Sequence, residues 1–255
     1  MTYRPSPVPG RKRLTYLDLN RLDAIIFDVD GVLTDTAGLH AAAWKKVFDE
    51  FLEDHFGADF KPFDEVVEYG RYIDGKPRLE GVQTFLEARG LIHVVRRDQI
   101  DELAAHKDVE FSEQIRRHGV RPYPTTATVV SSLRDKGART AAVSASERGG
   151  FVLDAAGLLD LFDVVVDGVV AKRLLLPGKP DPALFHEAAY RLGVPARRAA
   201  IVEDALSGIE AGRRGIFGFV IGVERTGQQD RRDEMRRQGA DLVVGDLAEI
   251  EATQR

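Results

Sequence analysis

No cysteine occurs among the 255 residues, which excludes a disulfide scaffold, thiolate metal centres and thiol nucleophiles. Long apolar runs are missing too. Nothing approaches the ~20 residues needed to cross a bilayer, and the opening MTYRPSPVPGRKRL lacks the apolar stretch of a signal peptide. A soluble, cytoplasmic protein without a membrane partner is expected. Nor is there an excess of positive charge: 36 Lys and Arg against 41 Asp and Glu leave a net charge of −5, which argues against nucleic acid as the main partner. No repeat or low-complexity tract breaks the chain. Global disorder is excluded by what is present, since 44% hydrophobic and 30% charged residues supply enough apolar surface to offset the entropy of ordering the backbone. The length suits one compact domain, or a domain carrying a smaller insert.

The first twenty residues hold Pro5, Pro7, Pro9 and Gly10 before Arg11, Lys12 and Arg13, a composition that resists helix and strand, so 1–20 is expected to be a flexible arm. Ala24 to Phe27 is an apolar run stopped by Asp28, Asp30 and Gly31, the pattern of a strand buried on both faces. Similar runs recur at Thr140 to Val143, Val164 to Val166, Ala200 to Val202, Phe217 to Ile221 and Leu242 to Val244. Helical stretches fall among them at Thr125 to Lys136, Phe151 to Ala156, Pro182 to Leu192 and Ser207 to Arg214. The alternation predicts an α/β fold, a Rossmann-like parallel sheet with helices on both faces. Residues 37–121 break the rhythm with helical periodicity and no buried strand, and are expected to be an inserted α-helical cap domain over a core made of 21–36 and 122–255. Such an insert would sit over the strands' carboxyl ends, where open α/β sheets bind ligands.

Two acidic pairs end buried strands. Asp28 and Asp30 follow the first, and Gly31 lets the chain turn; Glu203 and Asp204 follow the strand Ala200 to Val202. Each alone is equally readable as an Asp-rich turn or a helix cap. Together, parallel topology brings four carboxylates to one sheet edge, where mutual repulsion raises their pKa and a divalent cation is the economical explanation. Mg²⁺ suits them, being a hard ion that takes oxygen ligands and keeps waters for phosphates. Ser144 ends a third strand and Lys179 precedes a helix, so a hydroxyl and an ammonium are available for phosphate oxygens.

The ordered set DVDGVLTDT, VSAS, GKPDP and VEDALSGIEAG resembles the haloacid dehalogenase superfamily of phosphotransferases. The resemblance implies that Asp28 is the nucleophile, Asp30 the general acid/base, Ser144 with Ala145 and Lys179 the phosphate binders, and Asp204 a Mg²⁺ ligand supported by Glu203, with Asp28 and Asp30 completing the metal set. A second acid two residues past the nucleophile favours phosphoryl transfer over dehalogenation. The stretch Asp28 to Trp44 and the segment Asp74-Gly75-Lys76-Pro77-Arg78 are most similar to the β-phosphoglucomutase-like subfamily. That likeness implies that Thr36 and His40 couple cap closure to acid/base readiness. It also implies that Gly75, Lys76 and Arg78 serve the substrate's second anionic end. Lys76-Pro77 and Arg148 depart from the subfamily's usual Ser-rich turn and Asn.

The implied function is a Mg²⁺-dependent, monomeric enzyme interconverting β-glucose 1-phosphate and glucose 6-phosphate, its partner a small phosphorylated sugar. A sugar-phosphate phosphatase on the same scaffold is the alternative. A phospho-acceptor receiver domain is about half this length and has no helical insert. The remaining histidines, His55, His93, His106, His118 and His186, have no zinc-ligand spacing, and the arginines at Arg231-Arg232 and Arg236-Arg237 are expected on a solvated helix face.

Overall fold

A computed structural model describes residues 15–57 and 59–253 of the protein. Strand β1 is Thr15–Leu17 and β2 is Ala24–Asp28. Every residue of β2 is buried, which is why its sequence is a continuous apolar run and not an alternation: helices cover both faces of the sheet it belongs to. That sheet continues with β3 (Arg139–Val143), β4 (Val164–Val166), β5 (Ala199–Glu203), β6 (Phe219–Val223) and β7 (Leu242–Val244). Its order is β4-β3-β2-β5-β6-β7 and all its pairings are parallel.

Strand β2 is central, with β3 on one side and β5 on the other. The chain reverses its direction of travel across the sheet here, so the loops leaving β2 and β5 diverge and open a crevice at their carboxyl ends. On one face, helices α4 (Thr126–Asp135) and α5 (Gly149–Ala155) bury Val130, Leu133 and Val152 against the sheet. On the other, α7 (Ala183–Leu192) and α8 (Leu206–Arg214) contribute Phe185, Ala188 and Ala211.

Between β2 and α4 lie α1 (Ala37–Phe56), α2 (Arg78–Ala88) and α3 (Arg97–His118). Trp44, Val47, Phe48, Phe51 and Leu52 recur at helical spacing along α1 and are buried. With Phe63, Val82, Phe85 and Leu103 they form a hydrophobic cluster of their own. Phe48 stacks on Phe85 at 4.0 Å between centroids and on Trp44 at 4.9 Å. Among the described residues no helix is long and apolar enough to cross a membrane.

Two expectations need correction, and one helix was not anticipated. Residues 15–20 are not part of a loose arm: β1 pairs in parallel with β8 (Ile250–Ala252), and Leu17 and Leu19 are buried. The rest of the proposed arm, 1–14, lies outside the described residues. A further helix, α6 (Gly168–Leu174), follows β4 because the Asp167 carboxylate accepts from the Val169 and Val170 amides at 3.1 and 3.2 Å. Helix α9 (Gln229–Gln238) forms where the arginine-rich stretch was read, yet its first arginines are not merely solvated. Arg231 donates to the Asp204 carbonyl at 3.1 Å, and Arg232 donates to the Glu224 carbonyl at 3.2 Å.

Candidate active site

The crevice collects the two acidic pairs. Asp28 is the last residue of β2 and Glu203 the last of β5, both buried, with Asp204 one residue on. Asp28, Glu203 and Asp204 each offer a carboxylate oxygen within 4.8 Å of the others. Gly31 makes this packing possible. Its φ is +83°, and a Cβ there would lie 1.9 Å from Asp204 Oδ2, so only glycine fits both the turn and the space. Gly208 does the same for Glu203, whose Oε1 would stand 1.8 Å from a Cβ.

Lys179, wholly buried, donates through Nζ to both Asp28 and Glu203. Burial opposes its charge, but these two carboxylates outweigh burial and hold it protonated above its ordinary range. One ammonium does not neutralise three acids. Burial, only partly offset by Lys179, pushes Asp28 well above the usual carboxylate range, with Glu203 and Asp30 adding to the rise. Asp204 is raised by burial and then by Asp74, Glu203 and Asp28. A buried set of hard oxygen donors with surplus negative charge fits Mg²⁺.

Asp30 does not join that set. Its Oδ1 accepts from Thr36 Oγ1 at 2.6 Å and faces His40 Nε2 at 3.1 Å, while Oδ2 accepts from Ser144 Oγ at 3.0 Å. The expectation of four converging side chains gives way to three. Hydrogen bonds to Thr36, His40 and Ser144 hold the Asp30 carboxylate aside. Burial would raise the Asp30 pKa, but His40, Thr36 and Ser144 hold it below the ordinary range, so in this arrangement it is ionised. Thr36 precedes α1 but makes no side-chain cap. Its hydroxyl goes to Asp30 instead, forgoing a contribution of about 1 kcal/mol to the helix.

Sequence reasoning missed Lys107. It lies on the buried face of α3, 2% exposed, with Nζ 2.7 Å from His40 Nδ1. When protonated, Lys107 can only donate to Nδ1, which places the imidazole proton on Nε2, facing Asp30. Burial pulls Lys107 down to about 7, with Arg78 and Arg148 contributing. Phe111 stacks on the His40 ring at 3.8 Å. A signal was present: Ile100, Leu103, Ala104, Lys107 and Phe111 share helical spacing, and a charged residue on an apolar stripe is anomalous.

The insert's other candidates line the same cavity, which also contains Ala145. Gly75, at φ +74°, abuts Ser207, whose Oγ would be 2.3 Å from a Cβ. Lys76 Nζ donates to Thr84 Oγ1 at 3.2 Å. Arg78 forms ion pairs with Asp108 of α3 and with Glu147 after β3, the latter at 2.7 Å. Its guanidinium therefore already joins α2 to α3 and to the segment after β3 through carboxylates.

A family model described as haloacid dehalogenase-like hydrolase matches residues 22–215. The chain is 39% identical over 259 residues to a beta-phosphoglucomutase of Mycobacterium tuberculosis (strain CDC 1551 / Oshkosh), covering 97% of this chain and 98% of that protein. It is 28% identical over 224 residues to a beta-phosphoglucomutase of Bacillus subtilis (strain 168), covering 88% and 92%. Among solved structures, a beta-phosphoglucomutase from Clostridium difficile superposes with a TM-score of 0.72 at 25% identity, covering 89% of this chain and 92% of that one.

Proposed function

Because the chain belongs to the haloacid dehalogenase-like hydrolase family and is an enzyme of its phosphoglucomutase type, we propose that it interconverts β-glucose 1-phosphate and glucose 6-phosphate. The route runs through an aspartyl phosphate on Asp28 and a sugar bisphosphate. An Asp28 oxygen attacks phosphorus, and the bond from phosphorus to the sugar oxygen breaks. Lys179, already on Asp28, turns an N–H toward the phosphate, and its other oxygens are held by the Ala145 backbone and by Ser144, whose hydroxyl leaves Asp30 to do so. Asp28 and Asp204, with the Asp30 carbonyl and Glu203 in support, would hold Mg²⁺, which when bound would supply positive charge to offset the nucleophile and the phosphate. Asp30 gives the departing sugar oxygen the proton it took from an acceptor hydroxyl in the preceding return step. In the return step it takes the proton of an acceptor hydroxyl as that oxygen attacks phosphorus and releases Asp28.

One observation carries this reading. The proton carrier Asp30 is hydrogen-bonded to Thr36 and His40 at the start of α1, where the insert leaves the core, and through His40 to Lys107 on α3. Acid/base readiness is thereby tied to the position of the insert, which is how a sugar hydroxyl is favoured over water.

The cation reading has its own test. Gly31→Ala removes no ligand, yet its methyl group takes the space of Asp204 Oδ2. Mg²⁺ affinity is expected to fall about tenfold or more in a calorimetric titration, with about 1–2 kcal/mol lost from unfolding stability through the left-handed backbone. Unchanged affinity would place Asp204 outside the cation site.

Hydrolysis of a sugar phosphate is the second reading, favoured by the carboxylates that already engage Arg78. On the mutase reading a substrate's second phosphate displaces Glu147 and is clamped by Arg78 beside Lys76 and Gly75. Arg78→Ala is then expected to reduce isomerisation about 10²-fold more than hydrolysis of acetyl phosphate, which has no second anionic end. Both rates are measured on one preparation. Equal losses favour the phosphatase.

A further inference from the structure

At Asp74 the insert touches the start of α8, just beyond the end of β5 where Glu203 and Asp204 lie. Ser207 Oγ donates to the Asp74 main-chain carbonyl at 3.2 Å, and the following Gly75 lets the two backbones meet. From the core, Arg231 donates through Nη2 to the Asp204 carbonyl at 3.1 Å, and the same nitrogen lies 4.0 Å from Asp74 Oδ2. One guanidinium thus spans an acid of the insert and the backbone of a core ligand. The Asp74 side chain stands on the wall between two cavities. It lines the one containing Asp28 and Asp30, and also a second of about 380 Å³ that holds Asp204 and Arg231.

Charge decides what this contact does. Asp28, Glu203 and Asp204 already exceed the single charge of Lys179, so seating the insert brings a fourth carboxylate toward a site that is negative. Arg231 offsets one charge, while its Nη2 also donates to the Asp204 main-chain carbonyl. A divalent cation reverses the sign, making the approach of Asp74 favourable.

We propose that Asp74, latched by Arg231, couples closure of the insert to occupation of the cation site, so that each promotes the other. The inference rests on the cation reading above. Coupling of this kind is reciprocal: the factor by which the ion favours closure is the factor by which closure tightens the ion. Asp74 is a positioning residue here, acting on the ion's field and on the insert, and not on the reacting phosphate.

The test uses the full chain with Mg²⁺ alone and reads two quantities that need no turnover. Calorimetric titration gives Mg²⁺ affinity, and amide hydrogen exchange over residues 70–77 reports closure. In the wild type Mg²⁺ is expected to slow exchange in that segment. Asp74→Asn is expected to weaken Mg²⁺ about fivefold or more, the lower end of ordinary coupling, and to abolish the effect of Mg²⁺ on exchange. Arg231→Gln, which leaves every carboxylate in place, is expected to speed exchange in the Mg²⁺-loaded protein. A smaller affinity change in Asp74→Asn, a retained Mg²⁺ response, or wild-type exchange in Arg231→Gln overturns the coupling. A wild type that binds no Mg²⁺ overturns the cation reading itself, which separates the two failures.

Discussion

Asp28→Asn is expected to abolish isomerisation and ester hydrolysis together, by about 10⁴-fold or more, the scale of losing a covalent nucleophile, while leaving the thermal midpoint no lower than in the wild type. The stability half of this result follows from the electrostatics. Burial lifts the Asp28 pKa well above its ordinary value, with Glu203 and Asp30 adding to the rise, so its ionised form is costly in the folded state. Above that raised pKa the charge opposes folding, and a neutral amide of the same shape removes the opposition. Lys179 keeps Glu203 as its second partner. Intact-mass measurement after incubation with acetyl phosphate checks the chemistry: the wild type gains one phosphoryl group and the variant none. A variant that still becomes phosphorylated has its nucleophile elsewhere.

Asp30→Asn is expected to lower turnover of a sugar phosphate about 10²–10⁴-fold, the usual contribution of general acid/base catalysis. Its effect should depend on the leaving group. A sugar alkoxide must be protonated as it departs, whereas acetate need not be, so phosphorylation of the variant by acetyl phosphate should fall less than about tenfold. Mg²⁺ affinity should persist, because the Asp30 carboxylate is committed to Thr36, His40 and Ser144 and not to the acidic trio. Stopped-flow phosphorylation with the two donors separates these rates. An equal loss with both donors, or a large loss of Mg²⁺ affinity, would make the side chain a structural or metal group.

The sheet was legible because a parallel strand buried on both faces writes itself as a short apolar run, and β2, β3, β5 and β7 do so with clear polar ends. Strands β1 and β8 were not. Each is three residues long, and what stabilises one is the other, at the opposite end of the chain, a relation that no local pattern carries. In the site, the two acidic pairs announced themselves by ending or following strands, and Lys179 by standing ahead of a helix. The separate fate of Asp30 did not, because its two-residue spacing from Asp28 suggests a shared direction. The hydrogen bonds to Thr36, His40 and Ser144 reveal the swing. Lys107 was readable as a charge on an apolar stripe. Arg231 was harder, for α9 is rich in charge all round and nothing in its spacing distinguishes the arginine that reaches Asp204 from those that face water.

The most direct test is a single incubation of the wild-type protein with Mg²⁺, β-glucose 1-phosphate and a catalytic amount of glucose bisphosphate, with glucose 6-phosphate and free phosphate measured in the same samples. Transfer to a sugar hydroxyl through Asp28 predicts glucose 6-phosphate in large excess over released phosphate. Phosphate released in step with substrate loss, with no glucose 6-phosphate formed, would contradict it.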